Sequence, residues 1–176
     1  MLFSYASSAP FITQKIYDFS PQQFSFFMTC EGIGLIISSQ MASKLVDFFN
    51  RHQIILLYSS MQIIGAIILI TTLILHLNVW LYLISVLFTV IPVSGLGAIT
   101  FSIAMEERTG GSGNAASLLG LSQFIIGSII APLTGVGGSY NMYPYAIILI
   151  VTSILIITLL IANKYIYSKS NNGSLR

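Results

Sequence analysis

Residues 79–104, VWLYLISVLFTVIPVSGLGAITFSIA, form an apolar run without a single charged side chain. A helix rises 1.5 Å per residue, so about 20 residues span the hydrocarbon core of a bilayer. The rest of the chain has the same character, since 55% of its 176 residues are hydrophobic and 7% are charged. Soluble domains carry about 25% charged residues. The sequence therefore predicts an all-α integral membrane protein.

Further apolar runs of spanning length lie on both sides of this stretch, separated by short polar links. They cover about 21–43, 53–75, 113–136 and 142–163. Residues 1–13 form an apolar segment too short to cross, which resembles the last part of a helix whose beginning is missing. We therefore expect a partial protein with one truncated helix and five complete transmembrane helices. The polar residues 166–176 are predicted to form a disordered cytoplasmic tail.

The basic residues predict the orientation, because cytoplasmic loops retain Lys and Arg. Placing the links 43–53 and 105–112 and the C-terminus on one side of the membrane brings every basic residue except Lys15 to that side. The pattern predicts a multi-pass protein of the plasma (inner) membrane with a cytoplasmic C-terminus.

Glu31 is the residue that most strongly suggests a function. It lies about ten residues into its span, near the bilayer midplane. An ionised carboxylate there costs at least about 3 kcal/mol, so Glu31 must face a polar cavity, find a partner or stay protonated. A carboxyl group in apolar surroundings can exchange a proton near neutral pH. We expect a proton or cationic-substrate site, and the alternative is a structural carboxyl hydrogen-bonded to a neighbouring helix.

Two other sets of residues are candidates for a role in a membrane bundle. Polar and aromatic side chains at depth are candidates for lining a cavity. These are Tyr5, Ser8, Phe27, Gln62, Ser94 and Gln123. Small residues permit close helix packing, and prolines bend helices, either as gating bends or as static kinks. These are Gly32, Gly34, Pro92, Ala116, Gly120, Gly127, Ala131, Pro132 and Gly135.

Three stretches resemble a known family. They are FSYASSAPFITQKIYDFSPQQFSFFM at 3–28, SKLVDFFNRH at 43–52 and GNAASLLGLSQFIIGSIIAPLTG at 113–135. Together they resemble the C-terminal half of a major facilitator superfamily transporter, and within it the Bcr/CflA branch of drug and proton antiporters. The resemblance covers residues 1 to about 165. It implies one C-terminal transmembrane bundle, made of a truncated helix seven and helices eight to twelve.

The second stretch resembles the cytoplasmic loop motif of the superfamily. Leu45, Asp47 and Arg51 match that motif, whereas Phe48 replaces its central arginine. The resemblance implies that Asp47 and Arg51 link helices and change contacts as the two halves rock, and static stabilisation of the loop is the alternative. The family usually has an amide where Glu31 stands, so the proton role rests on the residue itself.

The resemblance implies multidrug efflux by alternating access, with a drug-like substrate bound between two six-helix bundles and protons as the coupling ion. The expected partners are the lipid bilayer, the substrate, protons and the missing N-terminal half. The alternative is an accessory or structural membrane subunit that transports nothing itself. No cofactor, nucleic acid or metal is expected, since His52 and His76 are isolated. An enzyme is not expected either, because the spans contain no cluster of ionisable residues at one depth.

Overall fold

A computed structural model of the protein describes residues 2–75, 77–106, 112–135 and 143–173. His76, the link that contains Arg108, and Arg176 lie outside these ranges. The described residues form helices and no strand. The helices are α1 (Leu2–Phe11), a π-helix (Ile12–Ile16), α2 (Pro21–Leu45), α3 (Arg51–Ile74), α4 (Val79–Glu106), α5 (Ser112–Leu133) and α6 (Tyr143–Gly173).

Four of these helices, α3 to α6, are long and apolar enough to cross a membrane. The predicted all-α membrane fold is therefore confirmed. Helix α2 has 25 residues, which is also long enough, but it is not among the four. Its polar side chains include Gln22, Gln23 and Glu31, and they lower its mean hydropathy. The fifth predicted complete span thus stays a prediction for α2.

Local sequence explains where α1 ends and α2 begins. Pro10 lies inside α1, where it cannot donate a backbone hydrogen bond, and the chain passes directly from α1 into the π-helix. Ser20 then caps α2: its side chain accepts from the backbone N–H of Gln23, and the Gln23 side chain accepts from the backbone N–H of Ser20. Pro21 follows at the first helical position, where its missing N–H costs nothing.

Helix α4 lies at the centre of the bundle, between α2 and α3, and packs along both. Helices α3 and α4 approach closely at Gly65, where an added Cβ would lie 2.6 Å from the backbone carbon of Phe88 and 2.6 Å from the backbone nitrogen of Thr89. Helix α1 packs on α5, and α6 packs on α3. Small residues permit this kind of backbone approach in membranes, where helices gain stability from packing.

Two contacts define the two ends of the bundle. At one end, Arg51 at the start of α3 forms an ion pair with Glu106 at the end of α4. At the other end, the Tyr17 hydroxyl donates to the backbone carbonyl of Leu77, 3.3 Å away, and so joins the link before α2 to the link before α4. Lys15 lies at this second end, apart from Arg51.

The C-terminal tail differs from the prediction. Residues 166–173 continue α6 as helix up to Gly173, where the sequence predicts disorder. Extending an existing helix needs no new nucleation, so polar residues can follow an apolar span as helix. The part of α6 that is apolar enough to span a membrane is Tyr143–Ala162, close to the predicted 142–163.

Candidate functional site

Glu31 is buried inside the bundle, with 2% of its surface exposed. Its Oε2 accepts a hydrogen bond from the hydroxyl of Tyr5 on α1, at 2.8 Å. The Tyr5 hydroxyl also lies 3.7 Å from the sulfur of Met28. Of the three predicted ways to tolerate the carboxyl at this depth, the structure shows a hydrogen-bonding partner, and Glu31 does not face an open cavity. The hydrogen bond between Tyr5 and Glu31 ties α1 to α2.

Two further buried tyrosines belong to the same core as Tyr5. Tyr82 of α4 and Tyr145 of α6 have exposures of 0% and 1%. We call Tyr5, Glu31, Tyr82 and Tyr145 the Glu31 cluster. Its members come from four helices and belong to, or lie against, the main buried core. The sequence analysis missed Tyr82 and Tyr145, although a tyrosine in place of phenylalanine inside an apolar span is itself a signal of a polar interior.

A groove between α1, α2, α4 and α5 contains two of the predicted cavity residues. Ser94 and Gln123 line it among apolar side chains, and its volume is about 430 Å³. Phe3 of α1 forms part of the wall and contacts Phe124 of α5 edge-on, with ring centroids 5.7 Å apart. A mostly apolar wall with a few polar groups suits a small, largely apolar ligand.

The other predicted cavity residues do not join this groove. Tyr5 and Ser8 are buried, and the Ser8 hydroxyl donates to the backbone carbonyl of Ser4 at 2.9 Å. Gln62 is also buried, with 4% exposed. Phe27 lies in a different groove, of about 770 Å³, which exposed Trp80 borders. The structure therefore separates the six residues into two grooves and an interior group.

The three residues of the loop motif, Leu45, Asp47 and Arg51, make separate contacts. Arg51 pairs with Glu106, which the sequence analysis did not identify, and its Nη2 lies 2.8 Å from Glu106 Oε1. The backbone N–H of Asp47 donates to the Lys44 carbonyl at the end of α2, and Leu45 packs against a second buried cluster. Arg51 therefore holds the start of α3 against the end of α4.

We expect Arg51→Glu to lower the melting temperature of the protein in detergent, because two carboxylates would then face each other at the ends of α3 and α4. The double substitution Arg51→Glu with Glu106→Arg should recover most of the loss, since it restores opposite charges. Both effects should shrink at high salt, because the pair is exposed. A charge-swapped protein no more stable than Arg51→Glu alone would contradict this pairing.

The predicted packing residues fall into two groups. An added Cβ at Gly34 would meet the Ile91 side chain at 2.5 Å, and one at Gly127 would meet the Phe3 ring at 2.5 Å, so both glycines mark close helix contacts. An added Cβ at Gly32 or Gly120 would meet no atom within 4 Å among the described residues, and a packing role for these two glycines stays a prediction.

The remaining candidates lie in α4 and α5. Pro92 is buried inside α4, whereas Pro132 is exposed near the end of α5. The backbone N–H of Gly135 donates to the Pro132 carbonyl at 3.1 Å, which closes the last turn. Ala116 and Ala131 are half-buried. Within the described ranges no group of three or more His, Cys, Asp or Glu could hold a metal ion.

The helices and the buried carboxyl define the class: a multi-pass α-helical membrane protein with a polar cluster in its interior.

No family model matches the chain, and no solved structure matches it. The chain is 28% identical over 153 residues to the uncharacterized MFS-type transporter YdgK of Bacillus subtilis (strain 168). This matched region covers 87% of this chain and 38% of the relative. The chain is also 26% identical over 132 residues to the bicyclomycin resistance protein homolog of Haemophilus influenzae. This second matched region covers 75% of this chain and 33% of that relative.

The chain therefore matches about a third of the length of these curated relatives. These similarities support a relationship to the major facilitator superfamily. Their modest identity agrees with the degraded loop motif around Asp47 and Arg51.

Proposed function

We propose that the chain is the C-terminal half of a Bcr/CflA-type transporter that exports small, drug-like compounds in exchange for protons. The observation that carries the proposal is the groove with Ser94 and Gln123, which is built from α1, α2, α4 and α5 and is open on one side. Two sparse polar groups on an apolar wall would orient an amphipathic compound without demanding one exact shape.

The proposed mechanism needs a second six-helix bundle. Alternating access works by rocking two bundles around a site near the bilayer midplane. Helix α5 is exposed along most of its described length, and Gly127 is the one residue of this helix that is described as buried. A partner bundle that covers this helix would close the groove. The parts of the two relatives outside the matched region are long enough to supply it.

Glu31 is the proposed proton site. The only hydrogen bond of its side chain within the described part of the chain comes from Tyr5, on the helix that also forms one wall of the groove. A movement of α1 relative to α2 would break this bond and change the environment of the carboxyl group. Substrate binding in the groove and proton exchange at Glu31 would then be coupled through α1.

Co-expression tests the two-bundle proposal. The chain would be produced in cells lacking their own drug efflux, alone and together with the part of the Bacillus relative that lies outside the match. We expect ethidium export only in the combination. A stably inserted chain that confers no export in either case would favour an accessory subunit instead.

Cysteine labelling tests the proposed orientation. In a chain with Cys30→Ser, Asn78→Cys should react in intact cells with a membrane-impermeant maleimide, because the link before α4 is proposed to be external. Asn50→Cys is the matched control: it is also an exposed asparagine just before a helix. It should react only after the cells are opened. The reverse pattern would contradict a cytoplasmic C-terminus.

A further inference from the structure

Three buried polar atoms of the Glu31 cluster have no hydrogen-bonding partner among the described residues. They are Glu31 Oε1, the Tyr82 hydroxyl and the Tyr145 hydroxyl. The side chains that carry them have exposures of 2%, 0% and 1%. Buried polar atoms in folded proteins are almost always paired, so three orphans in one cluster require an explanation.

The three orphans lie on three helices, α2, α4 and α6, and none is bonded directly to another. Tyr82 and Tyr145 belong to the same buried core as Tyr5, whose hydroxyl donates to Glu31 Oε2. Tyr5 closes the opposite side of the carboxyl group through Oε2, and the Tyr17 ring packs on Tyr82 with centroids 5.0 Å apart.

We infer that Glu31 Oε1, Tyr82 and Tyr145 together form a binding site for one buried water molecule. A water molecule accepts two hydrogen bonds and donates two, and buried waters typically make about three bonds to groups that would otherwise be unpaired. With Glu31 ionised, the water accepts from both phenols and donates to Oε1. With Glu31 protonated on Oε1, the water accepts from that proton and from one phenol, and donates to the other phenol oxygen.

This count favours water over a small cation such as Na⁺. A cation offers no protons, so the two phenol O–H groups would have to point away from it into apolar surroundings. It also satisfies the site only while the carboxyl is ionised, whereas water satisfies both states of Glu31. The site joins α2, α4 and α6 through one exchangeable molecule and places a proton acceptor directly beside Glu31. The inference does not depend on the chain taking part in transport.

The first test compares thermal unfolding of the purified full chain with that of Tyr82→Phe, Tyr145→Phe and the double variant. If both phenols bind the water, each single variant should lower the melting temperature. The double variant should lower it by less than the sum, because both hydroxyls share one partner. Tyr58→Phe is the control for a directly bonded buried tyrosine, since the Tyr58 hydroxyl donates to the Ser38 carbonyl at 3.1 Å.

The opposite result is equally clear. Removing a hydroxyl that truly lacks a partner relieves its desolvation cost. Unchanged or raised melting temperatures for Tyr82→Phe and Tyr145→Phe would therefore overturn the inference. A melting temperature of the unmodified chain that rises with NaCl but not with choline chloride, and does so less in Tyr82→Phe, would also overturn it in favour of a cation.

The second test detects the water itself by infrared spectroscopy. Infrared spectra of the chain equilibrated in normal water and in ¹⁸O-labelled water should differ by a sharp O–H band from an internal water. This band should be lost in Tyr82→Phe or Tyr145→Phe and kept in Tyr58→Phe. A spectrum without such a band, or a band that survives in both cluster variants, would refute the site.

Discussion

Replacing Glu31 by Gln should abolish proton-driven export by a protein in which this bundle works with a second one. Glutamine has nearly the same shape, and its amide oxygen can accept the Tyr5 hydrogen bond that Glu31 Oε2 accepts at 2.8 Å. It cannot bind or release a proton in the relevant pH range. The measurement is the transport of dye into inverted vesicles under an imposed pH gradient. We expect this transport to fall to the level of vesicles without the protein.

Two further variants separate the proton from the hydrogen bond. Tyr5→Phe removes the bond and leaves the carboxyl group, so export should decrease but still depend on the pH gradient. Ser94→Ala changes the groove wall and leaves Glu31 untouched, so it should alter the apparent affinity for the dye and not the coupling. Export by Glu31→Gln at the rate of the unmodified protein would show that Glu31 is a structural carboxyl.

The apolar runs were sufficient to predict the helices, because a span must be long and apolar whatever it packs against. The predicted 79–104 and 53–75 lie within a few residues of Val79–Glu106 and Arg51–Ile74. The apolar runs were insufficient to predict which side chains meet. A helix that is apolar all round gives no periodic stripe from which its rotation could be read, so Tyr82 and Tyr145 could not be assigned to Glu31.

The residues that line the candidate groove were predictable only in part, because polarity is visible in the sequence whereas helix rotation is not. Ser94 and Gln123 stand out as polar residues in apolar spans, and both lie on the groove. Gln62 stands out equally but lies in the interior, because the position of a helix in the bundle decides which of its polar residues face a cavity. The Arg51–Glu106 pair was missed since motif resemblance drew attention to Asp47, whereas the antiparallel packing of α3 and α4 brings Arg51 to Glu106.

Replacing Gly65 by Val should strongly destabilise the bundle. Even the first added carbon would lie 2.6 Å from the backbone of Phe88 and Thr89, and backbone atoms cannot rotate away as a side chain can. Helices α3 and α4 would have to separate along their whole contact. Overpacking a well-packed core typically costs about 1–3 kcal/mol, and a clash with backbone belongs at the upper end of that range. The measurement is the melting temperature in detergent together with the yield of folded protein.

Gly97→Ala is the matched control, because Gly97 lies on α4 as well and an added Cβ there meets nothing within 4 Å. It should leave stability unchanged or raise it slightly, since alanine favours a helix more than glycine does. Equal losses for the two variants would mean that glycine is needed for helix flexibility and not for close approach. Because Leu69 and Val86 belong to the same core as the Glu31 cluster, a separation of α3 and α4 should also loosen Tyr82. Gly65→Val should therefore weaken the internal water band that Gly97→Ala preserves.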